Sequence, residues 1–495
     1  MTDQTGGALH ASSLPFPGRW RALGVIAVAQ LLTALDATIV TIALPTAQQD
    51  LGFADTQRPW VITAYTLTFA GLLLIGGRIA DRLGRRTALL GGLGGFALAS
   101  AVAGLAPTFS VLVAGRALQG ACAAVLAPTA LSSIAVMFTE GRERGRAFAV
   151  YGAVASSGAI VGLVVGGALT QLVSWRWCLL VNVLFALGAL VSGSRLLPRD
   201  QPHPDVPLPW ASAALATAGL AGLVYGAAHA PDAGWTDADV WGPGLAGLVL
   251  LAAFLVRQAS SRAPMLPLGL LRGRRRGLAY VAIAAGVVAS FGVSLMLTYY
   301  FQAVLDWGPL HTGVAFLPLS AAVSVSGYAV SGRLAHTVQA RWLVAAGLAL
   351  AAAGVGLLAT LDLGSGYLTT ILPAEVLVGL GMGGIFTPAI QLVTSGVSPR
   401  DTGVAAAVAN VAMQVGSSLG VAVLNSIAVA ATRAYEGSLD PHAALVHGYA
   451  TAAACVATGL GVVVLLVATG LTGRPGGLAR ATTVPVGRDQ EGAAR

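Results

Sequence analysis

From Arg19 onward the chain alternates long apolar runs with short polar interruptions rich in Arg, Pro and Gly. A helix rises 1.5 Å per residue, so a run of about 20 apolar residues crosses a hydrocarbon core ~30 Å thick. With the polar clusters taken as punctuation, fourteen such runs appear. Their centres fall near Gln30, Phe69, Phe96, Leu118, Ala159, Phe185, Gly219, Leu248, Val287, Val323, Leu350, Leu380, Val415 and Ala457. The seventh and eighth, over 211–229 and 240–256, have the least sharp edges. The pattern predicts an all-α integral membrane protein with fourteen transmembrane helices.

The interruptions carry their own test of that count. All 28 basic residues are arginine. If the amino terminus is cytoplasmic, 24 of them fall in even-numbered loops and the two tails. Only Arg58, Arg176 and Arg433 lie on the other side, and Arg116 lies within a span. Cytoplasmic loops carry such an excess of positive charge. One span more or fewer in the first half would invert every later loop and erase the bias. The expected topology is a multi-pass inner or plasma membrane protein with both termini cytoplasmic.

Two halves follow from a repeat. The tetrapeptide Gly77-Arg78-Ile79-Ala80 returns 255 residues later as Gly332-Arg333-Leu334-Ala335, at the equivalent place in the helix count. His336 stands where Asp81 stood and Arg341 where Arg86 stood. The longest cytoplasmic interruptions, 195–209 and 257–276, bracket spans seven and eight. The expected layout is a disordered cytoplasmic amino terminus (1–18), a six-helix bundle (19–198) and a linker with an inserted helix pair (199–276). A second six-helix bundle (277–472), pseudo-symmetric with the first, and a disordered cytoplasmic tail (473–495) complete it.

Composition agrees: 56% of residues are hydrophobic and 10% charged, against about 25% charged in soluble domains. The net charge of +8 sits in short loops and forms no basic face, which argues against nucleic acid as a partner. Cys122, Cys178 and Cys455 have no CxxC spacing and no nearby His, so buried apolar thiols are expected rather than a metal site or disulfides. No nucleophile, metal cluster or phosphate loop stands out. Gly91-Gly92-Leu93-Gly94-Gly95 lies inside an apolar span and reads as packing. An enzyme is not expected.

Ionisable groups inside spans are functional candidates, because hydrocarbon penalises each charge. Asp36 lies in span one, Arg116 in span four and Glu375 in span twelve. An acid and a base facing a shared aqueous cavity can exchange a proton against a substrate as hydration changes. The alternative for Asp36 and Arg116 is a helix-packing ion pair, and for Glu375 a position close enough to the interface to snorkel. Gln30, Thr33, Tyr65, Gln119, Asn410 and Gln414 are candidates for a substrate cavity, with interhelical hydrogen bonding or packing as the alternative. Asn182 and Asn425 belong to the same polar set. In span five, Gly158, Gly162, Gly166 and Gly167 form a flat face. It suits a rocking interface between halves or static packing.

These residues resemble the major facilitator superfamily, specifically its fourteen-span drug:proton antiporters. Gly77-Arg-Ile-Ala-Asp81-Arg82-Leu-Gly84-Arg85-Arg86 is similar to the family's loop between spans two and three. Leu35-Asp36-Ala-Thr38-Ile-Val-Thr41-Ile-Ala-Leu-Pro45 resembles the subfamily's span-one motif, with Thr41 where Asn is usual. Arg116-Ala-Leu-Gln119-Gly120 resembles the span-four motif, and Trp175-Arg-Trp177 through Asn182-Val183 the start of span six. The stretch Gly403 to Gly420, with Asn410 and Gln414, resembles span thirteen, with Met413 at a position often held by Arg. Span five departs: the motif's Gly-Pro-x-x-Gly-Gly reads Gly162-Leu163-Val-Val-Gly166-Gly167.

The resemblance implies a proton-coupled exporter of small amphipathic compounds, working by alternating access. Asp36, Arg116 and Glu375 are then the proton-coupling groups, with Asp36 as the coupling carboxylate and Arg116 as its modulator. The family's Asp at position 81 braces one end state by meeting a helix end and an Arg, so Gly77, Asp81, Arg82, Gly84, Arg85 and Arg86 form a cytoplasmic gate. The expected partners are a small-molecule substrate, lipid and protons. No cofactor or metal is expected beyond the proton gradient, and the protein is expected to be a monomer. The alternatives are metabolite uptake or facilitated diffusion, or a non-transporting sensor or scaffold.

Overall fold

The computed structural model describes residues 18–470 except 139–140, 201, 203, 207, 234–236, 262–263, 267, 271–272, 331–333, 335–336, 396, 398–401 and 436–439. Of the repeated tetrapeptide, Gly332, Arg333 and Ala335 lie outside the described residues, as does His336. The regions expected to be disordered at the two ends lie outside them too, apart from Gly18.

The chain is helical. The helices are α1 (Arg19–Leu51), α2 (Arg58–Leu83), α3 (Arg85–Gly104), α4 (Phe109–Met137), α5 (Gly141–Leu172), α6 (Trp177–Leu196) and α7 (Trp210–Ala233). They continue as α8 (Ala238–Ser260), α9 (Arg274–Tyr299), α10 (Pro309–Ala329), α11 (Ala340–Leu358), α12 (Leu372–Thr394), α13 (Thr402–Tyr435) and α14 (Pro441–Gly470). Every centre read from the hydrophobic pattern falls inside one of them. Among the described residues twelve helices are long and apolar enough to cross a membrane, or thirteen if α2, bent by 60° between Leu73 and Ile75, is one span. The remaining helix, α5, has an apolar described stretch of Ile160–Leu172 behind a charged first turn.

Helix ends follow local chemistry. Gly52 ends α1 in the left-handed region (φ 66°), its N–H bonded to the Gln48 carbonyl at 2.8 Å. Gly84, also at positive φ (85°), is the one residue between α2 and α3. The Asp237 side chain accepts from the Asp239 N–H and caps α8. Two ends are wider: α9 runs into a π-helical turn, Tyr300–Val304, and α12 is preceded by another, Tyr367–Ile371.

Packing repeats from one half to the other. In the first half the pairs are α1 with α4, α5 and α6, α2 with α4, and α3 with α4 and α6. The second half shows the same set eight helices later: α9 with α12, α13 and α14, α10 with α12, and α11 with α12 and α14. Between halves, α2 meets α13 and α5 meets α10, again an equivalent pair. Helix α7 packs on both α2 and α13, and α8 packs on α7. A Cβ at Gly71 of α2 would come 2.0 Å from the Thr217 hydroxyl of α7, and Ser426 of α13 donates to the Ala227 carbonyl of α7 at 2.6 Å. The first helix of the inserted pair therefore lies along the seam between halves.

The glycine face of α5 serves mostly within one half. A Cβ at Gly158, Gly162 or Gly166 would meet α1 at 3.0, 2.2 and 2.8 Å, on Ala34, Thr38 and Ile39. Only Gly167 faces the other half, 2.5 Å from the Pro309 carbonyl by the same measure. A rocking interface along the whole face does not match this placement, because α1 already fills it. Of the cysteines Cys178 is buried, Cys122 half-buried and Cys455 exposed, so the expectation of three buried thiols fails at Cys455.

Candidate functional site

Asp36 and Arg116 lie deep in the first half, 0% and 2% exposed. Arg116 Nη1 donates to Asp36 Oδ2 at 2.5 Å and to Gln119 Oε1 at 2.9 Å, and its Nε donates to the Val61 carbonyl at 3.0 Å. Asp36 Oδ1 accepts from Asn182 Nδ2 at 2.8 Å and from Gln119 Nε2 at 3.2 Å. Gln119 Nε2 also donates to Ser100 Oγ at 2.8 Å. The Tyr65 ring lies 4.7 Å under the guanidinium and stacks on Phe69 at 6.0 Å. Arg116 and Gln119, three apart on α4, share one helix face, and residues of α1, α2, α3, α4 and α6 converge on them.

This arrangement differs from an acid and a base exposed to a common cavity. The carboxylate is dry and receives only N–H donors. Gln119 and Tyr65, read as cavity candidates, are built into the same buried network. Gln30, Thr33, Asn410 and Gln414 are half-buried, and Thr33 Oγ1 donates to the Gln30 carbonyl at 2.9 Å. Asn182 was visible as a polar residue in an apolar span. Ser100 gave no signal, since one small hydroxyl among alanines reads as packing.

Glu375 stands in a different setting. It is fully buried in the first turn of α12, so it does not snorkel. Its Oε2 lies 3.5 Å from the Tyr367 hydroxyl, and Oε1 has no hydrogen-bond partner among the described residues. Tyr367 donates to the Ala315 carbonyl at 2.7 Å. Its ring packs on Phe301 (6.0 Å) and Trp307 (5.7 Å), so the two π-helical turns meet here.

The halves close on each other at the end that holds the α1–α2 turn. Gln48 Oε1 accepts from Arg58 Nε at 2.7 Å and from the Tyr299 hydroxyl of α9 at 2.8 Å. Gln48 Nε2 donates to Asp55 at 2.8 Å, and Arg58 pairs with Asp55. The Arg58 guanidinium lies 3.9 Å over the Tyr299 ring. Asn425 of α13 donates to the Asp55 carbonyl at 3.2 Å, and Gln302 to the Ile42 carbonyl at 3.1 Å. A cavity of about 180 Å³ lined by Asp55, Arg58, Asn425 and Tyr449 sits beside this seam. Sequence reasoning missed the cluster, because polar residues at a span end read as ordinary loop chemistry until the partner half is in view.

At the opposite end the α2–α3 turn is organised by an acid from elsewhere. Asp200, beyond α6, accepts from the backbone N–H of Arg85 (2.5 Å) and Arg86 (3.3 Å) and lies 4.0 Å from the Arg85 guanidinium. Arg86 Nη2 donates to the Ser194 carbonyl at 2.5 Å. Arg82 is half-buried. Asp81 is exposed and accepts no hydrogen bond from a described residue. Of the two glycines before Arg78, Gly76 is the tightly packed one: a Cβ there would lie 2.0 Å from the Ala124 carbonyl, against 3.8 Å to Pro128 at Gly77.

Apolar helices in two like halves, joined along a seam and closed at one end, are the build of a membrane transporter. The chain belongs to the Major Facilitator Superfamily, whose profile matches residues 26–421. It is 47% identical over 459 residues to the puromycin resistance protein pur8 of Streptomyces alboniger, covering 91% of this chain and 90% of that protein. The cephamycin export protein CmcT of Amycolatopsis lactamdurans is 40% identical over 85% of this chain and 87% of its own length. The multidrug efflux pump LfrA of Mycolicibacterium smegmatis is 32% identical over 88% and 85%. The POT family transporter PepTSo shares the fold at 14% identity, with a TM-score of 0.67 over 91% of this chain and 98% of its own. The relatives are transport proteins, not enzymes, and antibiotic and drug export and resistance transporters recur among them.

Proposed function

We propose that this protein exports small amphipathic compounds of the antibiotic or drug kind, driven by protons returning across the cell membrane. The names of relatives aligned over 85–91% of the chain carry the export reading. The chain then crosses the plasma membrane fourteen times as a monomer, with both termini in the cytoplasm, as the arginine distribution supports. In that orientation the Gln48–Asp55–Arg58–Tyr299 cluster closes the outer side and the α2–α3 turn faces the cytoplasm. The exposed Asp81 fits an inward-facing state in which the Gly77–Arg86 gate is disengaged. Rocking the halves breaks the outer cluster and brings Asp81 to its bracing contacts. The half-buried Gln30, Thr33, Asn410 and Gln414 are available to substrate. The buried acids Asp36 and Glu375, with Arg116, are the groups through which coupling can run, since moving a charge between wet and dry surroundings changes its free energy.

Expression of the gene in a drug-sensitive host, with a susceptibility panel that includes puromycin, tests this. Resistance with lowered puromycin accumulation, abolished when the proton gradient is collapsed, is the expected result. Unchanged susceptibility across the panel, or efflux indifferent to the gradient, would overturn it.

A further inference from the structure

The two buried carboxyls differ in their hydrogen-bond inventory, and the difference assigns them different work. Asp36 receives three nitrogen donors, from Arg116, Asn182 and Gln119. Nitrogen–hydrogen groups can only donate, so both Asp36 oxygens act as acceptors here, and one of the donors is a cation.

Glu375 faces no cation within ion-pair distance among the described residues. A tyrosine hydroxyl owns one hydrogen, and that of Tyr367 is engaged by the Ala315 carbonyl at 2.7 Å. Its donation to Glu375 Oε2, at 3.5 Å, is the longer of the two, so the carboxyl shares a hydrogen already held more closely by a carbonyl. An ionised carboxylate here would be buried without a cation, with one long shared contact to Oε2 and none to Oε1, an arrangement hydrocarbon penalises. The π-helical turn Tyr367–Ile371 runs into α12, so Glu375 does not sit at a free helix start with open N–H groups.

Among the described residues, the helices packed on α12 add no countercharge within ion-pair distance of Glu375. From α9 and its turn, Tyr300 donates to the Asp362 carbonyl at 3.3 Å, and the Asp362 carboxylate accepts from Ser365. From α10, His311 stacks on Trp307 at 4.0 Å. From α13, Arg433 lines the cavity beside Arg58, and from α11, Arg341 lies over Trp342. The ionisable group that touches Glu375 is Tyr367, which is half-buried and stands between it and the end that holds the α1–α2 turn.

We infer that Glu375 is the carboxyl that carries the exchanged proton, loaded from the α1–α2 end past Tyr367. Asp36 instead pairs with Arg116 and holds the first half in register. Loading satisfies the Tyr367 contact and neutralises the site. Release needs water at Glu375, which opening the π-helical turns would admit. This division of labour rests on the proton-coupled reading and refines it.

Infrared difference spectra between acid and alkaline buffer, on the full-length purified protein in lipid bilayers, test the assignment without any substrate. Glu375→Gln is expected to remove the carbonyl band of a buried protonated carboxyl, and Asp36→Asn to leave it. Glu375→Asp and Tyr367→Phe keep a carboxyl at the site and are expected to shift that band, which covers the case of a misfolded Gln variant. A band that survives Glu375→Gln, vanishes with Asp36→Asn, or ignores both shifting variants overturns the inference. A second arm uses puromycin in proteoliposomes. Glu375→Gln is expected to lose uptake driven by an imposed pH difference while keeping puromycin exchange at equal pH. Pumping by Glu375→Gln equal to the parent overturns the inference. Absence of puromycin movement in the parent counts against the export reading alone, and the infrared result then decides Glu375.

Discussion

Replacing Arg116 by Met removes the cation that Asp36 faces and leaves the carboxylate dry. Asn182 and Gln119 still donate to it, but neither carries charge. Removing one partner of a buried ion pair costs about 3–5 kcal/mol, because the survivor is left uncompensated. Asp36→Asn should cost a similar amount, since Arg116 keeps its bonds to Gln119 and the Val61 carbonyl but no anion. Replacing both, as Asp36→Leu with Arg116→Met, removes the stranded charge, and such replacements are often neutral or better. The expected double-mutant cycle is therefore far from additive, with the double variant costing much less than the sum of the singles. The assay is the fraction of detergent-solubilised protein that stays monodisperse on heating, read by fluorescence-detected chromatography for the parent, both single variants and the double. The singles should lose stability first, and the double should lie nearer the parent. Two nearly harmless single variants whose effects simply add would refute the idea that this pair is a mutually dependent brace.

Other consequences follow from the same contacts. Gly162→Leu should abolish the folded protein on chromatography, because even a Cβ there lies 2.2 Å from the Thr38 hydroxyl of α1, whereas Gly188→Ala, which meets nothing within 4 Å, should be silent. Arg58→Ala should lose about 1–2 kcal/mol of outer closure, from the cation–π contact with Tyr299 of the other half. At 1.4 kcal/mol per tenfold the open population should grow roughly 5- to 30-fold, read as faster labelling of Gln302→Cys by an impermeant maleimide in a background lacking the native cysteines. Unchanged labelling would remove the cluster from the gate. Asp200→Ala should destabilise by about 1–2 kcal/mol, as loss of a helix N-terminal acceptor does. Arg85→Ala should cost about 1 kcal/mol or less, since that ion pair is long and partly exposed. Equal thermal losses for the two variants would show that the backbone contacts of Asp200 do not organise the turn.

Much of the fold was legible because lipid leaves few choices. Long apolar runs must be helices, and their arginines must sit between them. That is why the centres from Gln30 to Ala457 all fell within helices, and why the chain's few intramembrane ions stood out. The partnership of Asp36 with Arg116 was visible as a possibility, but not its dryness. Burial depends on Asn182, Ser100 and Tyr65 arriving from three other helices, and no local pattern encodes that convergence. The glycine face of α5 was plain in the spacing, yet spacing does not say which helix lies against it, and α1 proved to fill most of it. Asp200 escaped notice because its partners are backbone N–H groups more than a hundred residues away in sequence. The Gln48–Arg58–Tyr299 closure escaped for the same reason, with its elements 251 residues apart. Contacts between halves are invisible to any reading that moves along the chain one span at a time.

Reconstituted protein in sealed vesicles with an imposed pH difference, and labelled puromycin on the opposite side, addresses proton-driven export without the complications of a cell. Movement of puromycin against its own gradient, in the direction opposite to the protons and stopped by a protonophore, is the predicted result. Puromycin flux that merely equilibrates, whatever the pH difference, would contradict it.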